Sequence, residues 1–439
     1  MRKLLQEIGR FRSNRSGNIA VIFALALLPV LSALGCAIDY SRATKVKSKL
    51  QSAVDAASVG SVARKSPGFL AAGAMTADGP IEVGVADAKA IFDGNMSGVT
   101  GYTLNSVTPA VSKNGMVITS TVTFSAEVPT MFLGVMNKSK MTVTGTSTSV
   151  SKMPQYIDFY LLLDNSPSMG VGATPTDVAT MVANTGSSKC AFACHDLENA
   201  NNYYKLAKTL GVKMRVDVLR TATQQLMDTA AATQTYTNQF RMAIYDFGGS
   251  VSNASLRALF ALSSSLSSAK TAAGAIDLMT VNGHSEYQGT RYTTLFPAIN
   301  TAISDPGTGT SASPLKYLFF VSDGVSDENN SSCLKPKTGQ RCQAPVNPAL
   351  CKTLKDRGIK IAVLYTTYLA LPTDSWYNQW IKPFNTGPYD PASVNSEIAK
   401  KMEECASPGF YFEVTPTQGI SEAMTALFQR AVSDARIAS

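Results

Sequence analysis

Twenty consecutive residues, Ile19 to Ile38, carry no charged side chain, so any fold must bury this run or place it in lipid. As a helix rising about 1.5 Å per residue it spans roughly 30 Å, the depth of a bilayer core. Four readings compete: the core helix of a soluble protein, a signal peptide cleaved near Ala33-Leu34-Gly35, a lipoprotein signal ending at Cys36, and an uncleaved anchor. The run is apolar on all sides and flanked by cations, which favours the anchor over a buried helix. Ala33 stands where a leucine-like residue is usual, which weakens the lipoprotein reading. Pro29 is tolerable in a membrane helix, where neighbouring groups satisfy the freed carbonyl.

Charge supports a lipid neighbour. Residues 1–64 hold ten basic and three acidic side chains, so +7 of the formal +8 lies there and the remainder is nearly neutral. A basic stretch beside an apolar run suits anionic headgroups, and no nucleic-acid partner is expected. Arg42, Lys45, Lys47 and Lys49 follow the run closely, so charge alone orients it poorly. Apart from Cys36, six cysteines lie in the second half: Cys190, Cys194, Cys333, Cys342, Cys351 and Cys405. An even number in loop-like sequence, with only His195 and His284 beside them, points to disulfides in an oxidising compartment, their pairing undetermined.

After the run, Ala43, Val46, Leu50, Val54 and Ala57 recur at helical spacing, and Pro67 and its neighbouring glycines break the pattern. Val85–Met96 reads as a helix. Tyr102–Val111 and Met116–Val128 alternate as strands about a Lys113-Asn114-Gly115 turn, Pro129–Asn137 as a short helix, and Met141–Val150 as another strand. No acid, base or nucleophile constellation appears in this small α+β module. From Gln155 the pattern becomes strand–helix–strand, predicting a mainly parallel, doubly wound α/β sheet. Its strands are Tyr156–Leu163, Phe240–Phe247, Leu315–Ser322, Ile359–Thr366 and Phe410–Val414, with Ala258–Ser263 as an edge. A helix carrying Val212, Val216, Leu219, Thr223 and Leu226 and a closing helix from Ile420 to Ala435 complete it.

Three polar segments should converge at the carboxyl ends of these strands. They are Asp164-Asn165-Ser166-Pro167-Ser168, the loop Gly289–Leu295 and Ser322-Asp323-Gly324. Hydroxyls of Ser166, Ser168 and Thr293 suit a hard cation, and the carboxylates of Asp164 and Asp323 can hold its waters. Such a cation keeps its electrophilicity and one position for an outside carboxylate. The alternative is that these residues merely cap a fold that has lost its metal. Tyr368, Trp376, Tyr377 and Trp380 read either as a partner patch or as a satellite core. Cys190–His195 has three residues between its cysteines and so departs from haem attachment. No histidine sits in a nucleophile–base pattern, so no enzyme activity is expected.

The D-x-S-x-S turn, the later threonine and the strand-end Asp-Gly resemble the metal-ion-dependent adhesion site of von Willebrand factor A domains, over about Gln155–Ala435. The resemblance implies Asp164, Ser166, Ser168, Thr293 (or Thr294 beside it) and Asp323 as a site for Mg2+, or Mn2+ or Ca2+. The front of the chain is similar to TadE/TadG-like proteins of the Flp (tight-adherence) pilus machinery. The marks are Gly17-Asn18 at the entry to the run, Ala37-Ile38-Asp39-Tyr40 at its exit, and Leu50-Gln51-Ser52-Ala53-Val54-Asp55 beyond; the segment from Pro408 to Gln429 adds to them. Together these imply a basic cytoplasmic tail (1–18), a transmembrane helix (19–38), a TadE/G-like helix and module (39–153) and a periplasmic A-type domain (154–439). The implied role is pilus assembly at a bacterial inner membrane, with pilus or pilus-assembly proteins bound through an acidic side chain. A surface or matrix adhesin using the same site is the alternative. The insertions Met169–Leu210, Val325–Val346 and Thr367–Ser407 follow strands, and their cysteines suggest a disulfide-stapled cap over the metal.

Overall fold

A computed structural model describes residues 18–437 except 76, 284–287, 369–370, 372–373, 386–395 and 415–418. The basic tail through residue 17, His284 and parts of the third insertion and closing segment therefore lie outside the described residues. The chain divides into two compact units, Met1–Met153 and Pro154–Ser439.

In the first unit, helix α1 (Asn18–Ser61) runs through Pro29 without a break. Among the described residues it is the one helix long and apolar enough to cross a membrane. Its apolar side chains from Val21 to Leu34 are exposed, whereas Leu50, Ala53, Val54 and Ala57 are buried. The second half packs on a four-stranded sheet whose long strands are β1 (Thr103–Asn114), β2 (Val117–Pro129) and β3 (Lys140–Lys152), paired antiparallel in that order, with the short segment Gly79–Pro80 pairing outside β1. Along β2 burial alternates, with Ile118, Val122, Phe124, Ala126 and Val128 facing inward, the period of two expected of a half-buried strand. Hydroxyls lock helix to sheet: Ser58 Oγ lies 2.9 Å from Ser147 Oγ and 2.8 Å from Ser149 Oγ, and Ser61 Oγ donates to Ser120 Oγ at 2.8 Å. Gly115 turns β1 into β2 with φ +57°. Pro67 does more than interrupt the pattern. It is the first residue of α2 (Pro67–Ala74), where its missing N–H costs nothing, and Ser66 caps that helix by accepting from Phe69 N at 3.1 Å. Helix α3 (Glu82–Met96) follows. The segment read as a helix near Phe132 is a loop holding one 3-10 turn, Leu133–Met136.

The second unit contains a mixed six-stranded sheet. Its strands are β4 (Ile157–Leu163), β5 (Phe240–Gly248), β6 (Ala254–Ser263), β7 (Leu315–Ser322), β10 (Lys360–Thr366) and β11 (Tyr411–Val414). Their order is β11-β10-β7-β4-β5-β6; every neighbouring pair is parallel except β5 with β6, which is antiparallel. All of β4 is buried, because both faces are covered. Phe159, Leu161 and Leu163 join one core with α4 (Arg215–Thr233), α5 (Leu266–Ala273) and α9 (Ile420–Ile437). Tyr160 and Leu162 join the other with α6 (Tyr292–Ala302), α7 (Pro348–Asp356) and α8 (Glu397–Cys405). Between β7 and β10 the chain also forms a hairpin of β8 (Val325–Glu328) and β9 (Cys342–Pro345).

At the amino end of the sheet, Asp158 is fully buried between two cations on the strands that flank it. Arg241 grips it with Nε at 2.6 Å and Nη2 at 2.7 Å, and Lys316 Nζ lies at 2.5 Å. The three residues are direct cross-strand partners, so this triad fixes the register of β7, β4 and β5. Removing the anion strands a buried cation, a change that typically costs about 3 kcal/mol or more. Asp158→Ala should lower the denaturant stability of this unit by roughly that amount, and Asp158→Leu with Lys316→Met should recover most of it. A single-variant loss below about 1 kcal/mol would show that the triad does not hold the register.

Candidate functional site

β4 and β7 are adjacent and parallel, with Leu163 opposite Val321, so Asp164 and Ser322 emerge side by side. The turn after β4 folds onto its own first residue. Asp164 Oδ1 accepts from Ser166 N at 2.9 Å and from Ser166 Oγ at 2.6 Å, and Ser166 Oγ lies 3.0 Å from Ser168 Oγ. Asp164 Oδ2 accepts from Ser322 Oγ at 2.5 Å, and Ser322 Oγ also lies 2.7 Å from the Tyr292 hydroxyl. Ser168 in turn hydrogen-bonds Asp323.

Asn165 anchors the turn from below. Its Nδ2 donates to the carbonyls of Gly248 at 2.8 Å and Asp277 at 3.0 Å, and its Oδ1 accepts from Phe247 N at 3.1 Å. Gly324 turns the chain away from Asp323 with φ +78°; a Cβ there would lie 2.7 Å from Ile398 and 2.9 Å from Met402. The sequence therefore needs glycine at that position for conformation and for space.

Asp164 and Asp323 are both fully buried, and each carboxyl is held above the ordinary range near 3.8. Burial is the main cause for both, and the charge of Asp164 raises Asp323 further. Asp323 Oδ2 is buried without a hydrogen-bond partner among the described residues. Arg215 moderates Asp323 electrostatically, but its guanidinium donates to the carbonyls of Thr366 at 3.4 Å and Thr367 at 2.5 Å.

Thr293 lies near the start of α6, and its immediate partner is a residue that sequence reasoning did not single out. Thr293 Oγ1 donates to Glu328 Oε2 at 2.5 Å, and Thr293 N to the same oxygen at 3.2 Å. The hydroxyl of Thr294 instead turns back to the carbonyl of Arg291 at 3.0 Å. Glu328 ends β8, is buried, and its carboxyl is raised, first by burial. The phenol of the fully buried Tyr292 is pushed well up, first by burial and then by the charges of Asp164, Asp323 and Glu328. No local pattern in Val325–Glu328 marks Glu328, because the hairpin that folds it back depends on pairing with β9. Among the described residues no three His, Cys, Asp or Glu side chains form a conventional metal cluster. The oxygen set here is two carboxylates with hydroxyls, and Glu328 behind Thr293.

A cavity of about 210 Å³ opens beside Ser168, lined among others by Cys190, Cys194, Asp327, Arg341, Tyr368 and Trp376. The Arg341 guanidinium stacks 4.3 Å above Trp376 while pairing with Asp327. Tyr377 is buried and stacks on Tyr368 at 6.1 Å, so the aromatic run is divided between core and cavity wall. Disulfides are present, as the six cysteines suggested, and they take up four of the six. The described bridges are Cys333–Cys342 and Cys351–Cys405, whereas Cys36, Cys190 and Cys194 are free. Burial pushes both Cys190 and Cys194 thiols up, Cys194 to about 12. Their segment is held as a strand-like edge by Ala193 N on Gly170 O at 2.9 Å and by the Val171–Phe192 bridge. The cap is corrected: Cys333–Cys342 staples the hairpin that carries Glu328, but Cys351–Cys405 joins α7 to α8 inside the core. His195 stacks on Tyr204 at 4.1 Å and joins none of these groups.

Residues 17–64 match a family described as "Putative Flp pilus-assembly TadE/G-like". No curated protein matches the chain. Among solved structures, the vWF domain of the type V pili tip protein Mfa5 from Porphyromonas gingivalis is similar at 10% identity, covering 64% of this chain and 97% of that one, with TM-score 0.37. Three N-terminal domains of the same tip protein give 10% identity over 72% of this chain and 52% of that one, with TM-score 0.31. An uncharacterized membrane-spanning protein from Vibrio fischeri gives 13% identity over 64% and 98%, with TM-score 0.19. Likeness at these scores carries no functional weight. The chain thus has a TadE/G-like pilus-assembly segment at α1, followed by a mixed α/β unit that bears the buried acid cluster.

Proposed function

We propose that residues 154–439 form a von Willebrand factor A-type, doubly wound domain, and that Asp164, Ser166, Ser168, Thr293 and Asp323 hold a Mg2+ ion, or Mn2+ or Ca2+ in its place. The role proposed is partner binding in Flp/Tad pilus assembly, without enzymatic activity. The anchor at residues 19–38 keeps the chain in a bacterial inner membrane with this domain in the periplasm, and the partner is another pilus or pilus-assembly protein presenting an acidic side chain.

The observation that carries this reading is the pairing of two fully buried carboxylates, one with an oxygen that has no partner among the described residues, next to converging hydroxyls. Two like charges buried together are unfavourable unless a cation or a proton offsets them. A divalent cation there would supply that positive charge and an electrophilic position for an outside carboxylate. Ser166, Ser168 and Thr293 supply neutral oxygens, which leave most of a cation's charge uncompensated. Asn165 and Gly324 keep those oxygens in place, and Glu328 orients the Thr293 hydroxyl.

Calorimetry on the full chain in detergent should show Mg2+ or Mn2+ binding that weakens at least tenfold in Asp164→Ala, with Ser166→Ala weaker than wild type. Absence of binding in the wild type would leave a scaffold held by protein contacts alone.

Acidity gives a second test. The folded carboxyls of Asp164 and Asp323 lie above their unfolded value near 3.8, so the metal-free folded state binds more protons than the unfolded one as pH rises beyond it. Their contribution to metal-free stability is therefore full at acid pH and is lost as pH rises through the folded values. Mg2+ should raise the melting temperature by several degrees at about pH 8 and far less at about pH 5, and Asp323→Asn should remove this difference. Equal shifts at both pH values would count against the site.

A further inference from the structure

We infer that the loop Thr130–Ser139 of the first unit is a membrane-inserted wedge, which seats the small α+β module on the same bilayer that α1 enters. The inference rests on the anchor reading of residues 19–38 and goes beyond it by giving a second segment a lipid contact.

The loop joins β2 to β3 and reads Thr130-Met131-Phe132-Leu133-Gly134-Val135-Met136-Asn137-Lys138-Ser139. Five of the six residues from Met131 to Met136 are large and apolar, an unusual composition for a loop tip that meets water. Met131 is 68% exposed and Phe132 46%. The loop is nonetheless well built. Thr130 N donates to Ser139 O at 3.0 Å and Lys138 N to Leu133 O at 3.0 Å, and Asn137 closes the turn with φ +65°.

Two contacts with α1 fix its height. Asp39, only 2% exposed, accepts from Met131 N at 2.9 Å and from Phe132 N and Leu133 N at 2.8 Å each. One turn earlier on the same face, Gly35 lies so close to Phe132 that a Cβ there would come within 2.5 Å of its Cβ and Cγ. Gly35 belongs to the uncharged run, three residues before its end at Ile38, which is about 4.5 Å along a helix. The ring of Phe132 thus sits beside a part of α1 that the anchor reading places in lipid, and Met131 projects from the same tip.

Charge agrees with this depth. Lys138 leaves the loop exposed, Lys140 beside it is exposed but paired with Glu127 at 2.6 Å, and Lys45 and Lys49 are exposed on α1 beyond Asp39. An apolar tip bordered by lysines is the pattern of a segment lying at the boundary between acyl chains and anionic headgroups. The occupant of this apolar surface is therefore the bilayer. Asp39 makes the insertion feasible: by taking three backbone N–H groups it satisfies donors that lipid could not. It also ties the module to the helix at one level, so the module rests on the membrane as a foot.

The test is site-directed spin labelling of the full chain in phosphatidylethanolamine–phosphatidylglycerol vesicles, after Cys36→Ser, Cys190→Ser and Cys194→Ser. Labels go on Met131→Cys, on Leu28→Cys within the apolar run, and on Asn114→Cys at the β1–β2 turn. Collision with oxygen, which partitions into lipid, is compared with collision with a water-soluble nickel chelate. The Met131 label should favour oxygen several-fold, as the Leu28 label does, while the Asn114 label should favour nickel. If Leu28 favours oxygen but Met131 follows Asn114, the wedge is wrong and the anchor stands. If Met131 is reached by neither agent, protein covers the loop and the wedge is likewise wrong. If Leu28 fails to favour oxygen, anchor and wedge fall together.

Discussion

Burial of Asp164 beside Asp323 is the constraint on which the carboxyl end of the six-stranded sheet depends. The parallel register of β4 and β7 brings the two strand ends together, and the Ser322 hydroxyl bridges to Asp164 at 2.5 Å. Asp164 cannot move toward water without giving up that bridge or the turn that Asn165 anchors, and Asp323 is held by Ser168 and Val325 N. Both therefore respond through protonation, and both are held above the usual carboxylate range. The surrounding residues follow from this. Ser166 and Ser168 solvate the acids with hydroxyls, Gly324 gives the chain an exit where a side chain would collide, and Tyr292 packs against the cluster from α6.

Much of this was legible in the sequence where one physical signal dominates. The continuous apolar runs of β4, β7 and β10 are strands buried on both faces, and period-two alternation marked β2. The turn Asp164–Ser168 and the Asp323-Gly324 strand end were readable because short polar motifs follow those strands directly. Long-range pairing was not readable. Glu328 reaches Thr293 only because β8 folds back against β9, and a residue 35 positions away leaves no local trace at Thr293. The cysteines pointed to disulfides, and two bridges are present, but their pairing was not readable: it depends on where the backbone brings each Cα, and Cys351 meets Cys405 at 5.2 Å across two helices. Pro67 read only as a break, yet it also begins α2, six residues after α1 ends at Ser61.

Several carboxylates are buried among the described residues, and a comparison of Asp39, Asp158 and Asp246 with the Asp164–Asp323 pair sharpens what is particular to that pair. Asp39 is satisfied by three backbone N–H groups. Asp158 lies between Arg241 and Lys316, and Asp246 is gripped by Arg257 at 2.9 and 2.5 Å. Each of these three has donors or cations matched to its oxygens, as buried acids in stable folds require. Asp164 accepts from two hydroxyls and the Ser166 N–H. Asp323 has the Ser168 hydroxyl, the Val325 N–H and one oxygen without a hydrogen-bond partner among the described residues, and each acid faces the other's charge. Guanidinium groups grip Asp158 and Asp246 directly, whereas Arg215 acts on Asp323 as a nearby charge while donating to the carbonyls of Thr366 and Thr367. The cost of leaving two acids so poorly compensated is a few kcal/mol, large against the stability of a domain. Persistence of that cost at the strand ends, where open α/β sheets bind ligands, is the physical argument for reading the pair as half of a binding site whose other half is a cation.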